Sequence, residues 1–172
     1  MKINKNKGIL LRISGLPGSG KTRIAKKLLS PIRKKYGPTI MWSGDDLRRI
    51  FNNREYTPEK RFHFGKQNIN LIKFFNNQKM NVIFATVGLD EKIRSYIRKN
   101  IPNYFEIFIK TDLKKLKKIK VRKFYNGKSK NVYGRDIKPS YPKKPHIKIN
   151  NDFKKSLDLI KLDILKKLDK LI

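Results

Sequence analysis

Short, mostly apolar runs alternate along this chain with longer segments in which apolar residues recur every three or four positions. The short runs lie at 8–14, 39–42, 82–86, 104–109 and 147–149. Runs of this length without a regular polar alternation are typical of strands that are buried on both faces. We therefore predict five buried strands, with the longer segments between them folding as helices.

Start and stop signals bound these longer segments. The run Thr57-Pro58-Glu59 combines a capping hydroxyl, a proline at the first helical position and a first-turn acid, which predicts a helix start. Gly37-Pro38 predicts the end of the preceding helix. The predicted helices cover 21–36, 57–78, 90–100, 112–124 and 153–172. We expect Pro31 to bend or split the first of them, and we expect the helix over 90–100 to be exposed.

Strands that alternate with helices predict an α/β three-layer sandwich, in which helices flank a mainly parallel five-stranded sheet. No internal repeat or change of composition divides the chain, so we predict a single domain over 1–172. The segment 125–145 is rich in Gly, Pro, Lys and Asn and is predicted to be a mobile loop.

The composition narrows the classes of ligand. The 172 residues include 44 Lys and Arg against 13 Asp and Glu, which gives a formal net charge of +31 and indicates anionic ligands. However, the 33 lysines are spread along the chain and accompany 22 isoleucines and 15 asparagines, residues that share AT-rich codons. We therefore favour small anionic substrates over nucleic acid. The absence of cysteine excludes disulfides and thiolate metal sites, and no apolar run is long enough for a membrane span. We expect a cytoplasmic protein with no membrane association.

One motif carries specific chemistry. Gly15-Leu16-Pro17-Gly18-Ser19-Gly20-Lys21-Thr22 matches G-x-x-x-x-G-K-[ST], between a predicted strand and a predicted helix,. The glycines let backbone N–H groups approach phosphate oxygens, and the helix N-terminus adds positive potential. In this context Lys21 reaches the β- and γ-phosphates and Thr22 is a ligand of Mg²⁺. The motif thus predicts a P-loop fold that binds Mg²⁺ and ATP.

A carboxylate follows the second predicted strand. The carboxyl edge of a parallel sheet brings Asp45 beside the phosphate loop, where it could accept a proton from a hydroxyl or hold Mg²⁺. A structural alternative, compatible with this role, is that Asp45 or Ser43 caps the next turn. Asp46 is expected to be only a first-turn charge. The strand 82–86 does not end in an acid and no N-K-x-D motif is present, which disfavours motor ATPases and GTPases.

Five motifs together resemble the adenylylsulfate kinase family over nearly the whole chain. They are G-L-P-G-S-G-K-T (15–22), S-G-D-D-L-R (43–48), T-P-E-K-R (57–61), N-V-I-F-A-T (81–86) and N-V-Y-G-R-D-I (131–137). The resemblance implies transfer of the γ-phosphate of ATP to a ribose 3′-hydroxyl of a nucleotide. It also implies that residues 125–138 form a lid.

The resemblance also implies roles for individual residues. Asp45 is the acid at the acceptor hydroxyl, and Arg48 and Arg61 bind the acceptor. We name Lys21 as a second catalytic residue, and Thr22 and Asp45 as the metal ligands. The further acceptor-side candidates are Tyr56, Val132, Tyr133, Arg135 and Asp136.

The acceptor side departs from the family more than the donor side does. Ser43 replaces an acid, Gly88 replaces a serine, and Val132 replaces a phenylalanine that stacks on the acceptor base. Residues 64–66 replace an asparagine and arginines, and 119–122 replaces an R-D-x-K stretch near the base of ATP. Loss of one aromatic face weakens base stacking by ~1–3 kcal/mol, so we expect the donor chemistry to be kept and the acceptor to differ.

The resemblance, rather than the chemistry of individual residues, favours one acceptor. A family member with an altered acceptor side phosphorylates cytidine diphosphoramidate for capsule O-methyl phosphoramidate biosynthesis, and we favour this acceptor. The alternatives are adenylylsulfate, a polynucleotide acceptor suggested by the charge, and a non-enzymatic nucleotide-binding role. The sequence leaves open whether the protein forms a homodimer.

Overall fold

The structure, a computed structural model, describes residues 3–118, 125, 127 and 130–172. It contains a five-stranded, fully parallel sheet in the order β2-β3-β1-β4-β5. The strands are β1 (Leu10–Gly15), β2 (Thr39–Ser43), β3 (Asn81–Thr86), β4 (Tyr104–Lys110) and β5 (Ile147–Asn150). The helices are α1 (Lys21–Tyr36), α2 (Gly44–Ile50), α3 (Pro58–Asn77), α4 (Glu91–Asn100), α5 (Leu113–Lys118) and α6 (Leu157–Leu168). The predicted parallel α/β sandwich is confirmed.

The register of the sheet brings the ends of three strands together. Ser14 of β1 lies beside Thr86 of β3, and Ser43 of β2 lies beside Ala85. The loops that leave β1, β2 and β3 therefore emerge at one edge of the sheet, which is where ligands bind in open parallel sheets.

Each face of the sheet is covered by its own helices. Leu11 and Ile13 of β1 pack with α1 and α6, whereas Leu10 of the same strand belongs to a cluster formed with α3 and α4. This alternation follows from the two-residue period of a strand. The buried apolar residues on both faces explain why the strand sequences lack a regular polar alternation.

Some predicted details are confirmed and others need correction. Thr57 caps α3, with Pro58 at its first position, as predicted. Pro31 does not split α1, which is a single helix over Lys21–Tyr36. Burial of Leu28 and Ile32 on either side of the proline holds this helix together despite the missing N–H donor.

Two further helices differ from their predictions. The expectation that 90–100 is exposed is wrong for one face of α4, because Ile93, Arg94 and Ile97 are buried against neighbouring elements. The last helix begins at Leu157 rather than at Phe153, because Phe153 has a left-handed φ of 68° and Ser156 is the capping residue. The predicted helix over 112–124 is present over Leu113–Lys118, and 119–124 lies outside the described residues. Among the described residues, no helix has the length and apolar character that crossing a membrane requires.

Candidate active site

The glycine-rich loop joins β1 to α1 in the geometry that its sequence predicts. Gly18 and Gly20 have φ values of 77° and 91°, in the left-handed region that other residues rarely adopt,. Gly20 precedes the first residue of α1, and the first turn of this helix has no acidic side chain. A helix N-terminus of this kind is suited to an anion.

Lys21 places its charge over this loop. The lysine is buried, and its Nζ donates a hydrogen bond to the carbonyl oxygen of Leu16 at 2.7 Å and lies 3.5 Å from Oγ of Ser19. The ammonium group is thus held at the loop, where it could neutralise phosphate oxygens.

A residue that the sequence reasoning missed supports the same loop. The buried Asn151, directly after β5, donates from Nδ2 to the carbonyl oxygen of Ser19 at 3.0 Å. Its position at the carboxyl end of a strand was the available signal, since that edge of the sheet carries the loop.

The two neighbouring acids after β2 have different surroundings. Ser43 accepts a hydrogen bond from the backbone N–H of Asp46 at 3.2 Å, and the Asp46 carboxylate accepts one from the Ser43 N–H at 2.9 Å. These two bonds form a capping box. The pKa of Asp46 is lowered by the hydrogen bonds that its carboxylate accepts from the Ser43 N–H and from the Ser43 hydroxyl. Ser43, rather than Asp45, is therefore the cap of α2, and Asp46 is the first-turn charge that was predicted.

Asp45 remains outside this cap. Within the described part of the chain, its carboxylate forms no hydrogen bond or ion pair. It lines the same cavity as Lys21 and Thr22, and it interacts electrostatically with Arg48 and Arg61. The arrangement leaves the carboxylate free to contact a hydroxyl group or a metal ion.

Arg48 is held by a side-chain amide, a backbone carbonyl group and two aromatic rings. Its Nη1 donates to Oδ1 of Asn53 at 2.7 Å and to the carbonyl oxygen of Glu55 at 2.8 Å. The guanidinium lies 4.3 Å from the ring centroid of Tyr56 and 4.9 Å from that of Phe64. Burial lowers the pKa of Arg48, but an arginine remains protonated.

Arg61 approaches Tyr56 from α3. Its Nε donates to the carbonyl oxygen of Tyr56 and its Nη2 to that of Asn131, each at 2.7 Å. Its guanidinium also lies 5.3 Å from the ring of Tyr133, and burial lowers its pKa. Neither Arg48 nor Arg61 forms an ion pair with a carboxylate among the described residues, so their charges attract an anionic group.

The described residues of the predicted lid pack over the loop. Val132 and Tyr133 are buried and line the cavity, and the hydroxyl of Tyr125 donates to the carbonyl oxygen of Pro17 at 3.1 Å. Arg135 and Asp136 do not line the cavity but pair with each other at 2.7 Å. The contact of this pair with an acceptor stays a prediction.

Arg12, which lies inside the predicted strand 8–14, is the second residue that the sequence reasoning missed. It is 1% exposed, lines the cavity, and donates to Oε1 of Glu106 at 2.8 Å and to the hydroxyl of Tyr104 at 3.3 Å. Burial favours a lower pKa of Arg12, but the charges of Tyr104 and Glu106 outweigh it and raise the pKa. One basic and one acidic residue in two otherwise apolar strands was the signal for this pair.

The Arg12 guanidinium also explains a departure in the sequence. It donates to the carbonyl oxygen of Gly88, and a Cβ at position 88 would collide with its Nη2 atom. Gly88 has a φ of 41°, which also disfavours a side chain. The arginine therefore accounts for a glycine where the resemblance leads one to expect serine.

Most of these residues line one cavity of about 830 Å³, a size suited to a small-molecule ligand. One end, the phosphate end, contains residues 17–18, 20–23 and 43–45. The other, the acceptor end, contains a polar set and an apolar set. The polar set is Arg12, Arg48, Arg61, Asn68, Thr86, Asp90 and Lys130. The apolar set is Phe62, Phe64, Ile69, Phe84, Ile93 and Ile97, and Tyr56, Val132 and Tyr133 also line the cavity. Of the predicted acceptor residues, all except Arg135 and Asp136 meet here.

Comparisons with known proteins agree with this geometry. The family model for adenylylsulphate kinase matches residues 7–150. The cytidine diphosphoramidate kinase of Campylobacter jejuni is 34% identical over 168 residues, which cover 95% of this chain and 98% of that relative. A probable adenylyl-sulfate kinase of Pyrococcus abyssi is 24% identical, over 84% of this chain and 86% of its own. The structure of the APS kinase of Mycobacterium tuberculosis in complex with AMPPNP and APS superposes with a TM-score of 0.85 at 20% identity, covering 95% of this chain and 98% of that chain.

Proposed function

The chain belongs to the adenylylsulphate kinase family, and from this premise we propose that it phosphorylates the ribose 3′-hydroxyl of cytidine diphosphoramidate. It is a phosphotransferase that uses ATP and acts on an alcohol group, as its relatives are. What we propose beyond this activity is the identity of the acceptor and the roles of individual residues.

One observation carries the proposal: a carboxylate without a hydrogen-bond or ion-pair partner among the described residues shares one cavity with the phosphate loop and with two arginines that form no ion pair. Asp45 lines one cavity with Lys21 at the phosphate end and with Arg48 and Arg61 at the acceptor end. A kinase for an anionic nucleotide needs these three groups around the site of transfer, because transfer joins a donor phosphate, an acceptor hydroxyl and an acceptor anion.

The proposed reaction assigns a task to each group. The loop 15–22 holds the triphosphate, and Lys21 neutralises charge that develops on the transferred phosphoryl group. The acceptor 3′-oxygen attacks the γ-phosphorus, the bond to the β-phosphate oxygen breaks, and ADP leaves. Asp45 orients the hydroxyl and takes its proton, while Arg48 and Arg61 hold the acceptor's phosphorus-containing group. The lid residues Val132 and Tyr133 limit the access of water.

The residues present fit a magnesium ion. The hydroxyl of Thr22 and the free carboxylate of Asp45 line the same cavity, and such oxygen ligands suit Mg²⁺. These two residues would hold the ion, which when bound neutralises charge on the ATP phosphates.

Two observations support cytidine diphosphoramidate over adenylylsulfate. The identity to the kinase for the former is 34% over nearly full length, against 24% for the relative from Pyrococcus abyssi. In addition, an aliphatic Val132 lines the cavity where the resemblance implies an aromatic ring that stacks on the acceptor base, and a pyrimidine tolerates this loss better than a larger purine does.

The acceptor can be tested with ³¹P NMR in the presence of MgATP. Separate reactions receive cytidine diphosphoramidate, adenylylsulfate or CDP. We expect a new ribose-phosphate signal that is strongest with cytidine diphosphoramidate, together with release of ADP. A stronger signal with adenylylsulfate would assign the chain to that acceptor instead, and ADP release without any new ester would contradict the kinase assignment.

A further inference from the structure

Asn151 is held in one orientation against the phosphate loop. Its Nδ2 donates to the carbonyl oxygen of Ser19 at 3.0 Å, and its Oδ1 accepts a hydrogen bond from the N–H of Phe153 at 3.1 Å. Its own backbone N–H donates to the carbonyl oxygen of Lys110 at 2.9 Å. Because Oδ1 faces an N–H donor, Nδ2 is the atom that faces Ser19. The end of the sheet therefore presents a fixed N–H donor to the loop.

This contact fixes the direction of the peptide group between Ser19 and Gly20. The described residues contain no cis peptide bond, and in a trans peptide the C=O and N–H groups point in opposite directions. Since the carbonyl oxygen of Ser19 faces Asn151, the N–H of Gly20 points away from Asn151. Gly20 lines the cavity, whereas Ser19 and Asn151 are buried residues outside its lining.

The N–H of Gly20 is available to a ligand. Among the described residues it donates no hydrogen bond. Gly20 does not fix this orientation by itself, because glycine adopts positive and negative φ with similar ease. A reversed peptide would turn the carbonyl oxygen of Ser19 towards the bound anion and repel it. The hydrogen bond from Asn151 selects the orientation that suits a phosphate group.

We propose that Asn151 is a positioning residue of the donor site, which turns the N–H of Gly20 towards the β-phosphate of ATP. Lys21, the next residue, reaches the β- and γ-phosphates in loops of this type, so the N–H directly before it suits the β-phosphate. A hydrogen bond from an N–H group to a phosphate oxygen is charge-assisted and stronger than a neutral one. The inference rests on the proposed function only in that the loop 15–22 holds the triphosphate, and it is independent of the acceptor.

The first test compares the binding of ADP and AMP by calorimetry in the presence of Mg²⁺. Asn151→Asp keeps the size of the side chain but replaces the Nδ2 donor by an oxygen, which repels the carbonyl oxygen of Ser19. We expect this variant to bind ADP about tenfold less tightly than wild type, with a smaller loss for AMP, which has no β-phosphate. Asn150→Asp is the matched control, because it adds the same charge at the adjacent, exposed position outside the cavity lining. The control should bind ADP as wild type does.

The second test observes the hydrogen bond itself. In protein labelled with ¹⁵N-glycine, the amide proton of Gly20 should shift downfield when ADP and Mg²⁺ bind to wild type, because a phosphate oxygen deshields it. In Asn151→Ala at saturating ADP, most of this shift should be lost while the amide of Gly18 still responds. The wild-type measurement does not depend on the folding of any variant.

A purely structural role of Asn151 gives a different result. It would lower Tm in Asn151→Asp and Asn151→Ala while the ratio of the affinities for ADP and AMP stayed at the wild-type value, and this outcome would overturn the proposal. An amide of Gly20 that does not shift when ADP binds to wild type would overturn it as well.

The outcomes also separate this inference from the proposed function. If ADP shifted the amide of Gly18 but not that of Gly20, the loop would still be the phosphate site and only the role of Asn151 would be refuted. If ADP shifted neither amide in wild type, both the role of Asn151 and the assignment of the triphosphate to the loop 15–22 would be refuted.

Discussion

The two ends of the cavity are built in different ways. The phosphate end consists of one continuous loop, whose glycines and helix N-terminus present backbone groups. The acceptor end consists of side chains from β1, α2, α3, β3, α4 and the lid, so that its residues are far apart in sequence. Single substitutions can therefore change the acceptor end without disturbing the fold, whereas the phosphate end tolerates few changes. This difference explains how a family can keep its donor and change its acceptor.

The largest expected effect comes from the phosphate end. Lys21→Ala should lower kcat by about a hundredfold to a thousandfold, because it removes the positive charge that stabilises the transferred phosphoryl group. Lys26→Ala is the control, since Lys26 is exposed on the same helix. The steady-state rate of ADP release is measured for both variants. A Lys21→Ala protein as active as wild type would refute the assignment of the phosphate end to ATP.

Asp45 and Asp46 are adjacent in the sequence, and substitutions can show which of the two acids acts in phosphate transfer. Asp45→Asn should lower kcat by about a hundredfold with a smaller change in KM for ATP, because a proton acceptor is lost. Asp46→Asn should instead lower Tm slightly and leave kcat near wild type, since Asp46 belongs to the capping box of α2. If the two variants exchanged these effects, the functional roles of the two acids would be reversed.

A smaller effect is expected at the acceptor end. Arg61→Lys keeps the charge but loses the fixed hydrogen bonds to Tyr56 and Asn131, so KM for the acceptor should rise about tenfold with KM for ATP unchanged. Arg54→Lys, at an exposed position outside the cavity, should change neither constant. A rise in KM for ATP in Arg61→Lys would place this arginine at the phosphate end.

The packing beneath the acceptor end can be tested by stability. Gly88→Ser should cost about 1–3 kcal/mol and lower Tm by several degrees, because the new Cβ meets the Arg12 guanidinium,. The added loss should be smaller in an Arg12→Ala background, since the colliding group is then absent. Thermal denaturation of the four proteins gives this coupling, and additive losses would argue against the collision.

The smallest expected effect is a pH dependence of the ion pair between Arg135 and Asp136 in the predicted lid. A hydrogen bond from Arg135 lowers the pKa of Asp136 from 3.8 to about 2. A carboxylate with a lowered pKa stabilises the folded lid fully above about pH 4, and this stabilisation is lost as the pH falls to about 2. NMR titration of the Asp136 carboxyl carbon measures the midpoint, which should move towards 3.8 in Arg135→Gln; a midpoint near 3.8 in wild type would refute the pairing.

The fold and the phosphate end could be predicted from the sequence because their signals are local. Apolar runs, Thr57-Pro58 and the glycine-rich loop each depend on neighbouring residues, and Thr57 caps α3 as predicted. Arg12 and Asn151 were missed because their roles depend on residues brought together only by folding. Arg12 contacts Glu106, 94 positions away, and Asn151 contacts Ser19, 132 positions away. The sequence shows these residues only as polar positions within or after apolar strands, and it does not show which residues they contact.

Arg61 illustrates what the folded chain provides before any ligand arrives. Its guanidinium is a rigid plane with five N–H donors, and two backbone oxygens, of Tyr56 and Asn131, already fix that plane through Nε and Nη2. The remaining Nη1 donors consequently point in a set direction. The rotamer entropy of this long side chain is lost during folding rather than during association, so an incoming anion meets a preorganised fork that lysine, with its freely rotating ammonium, could not supply.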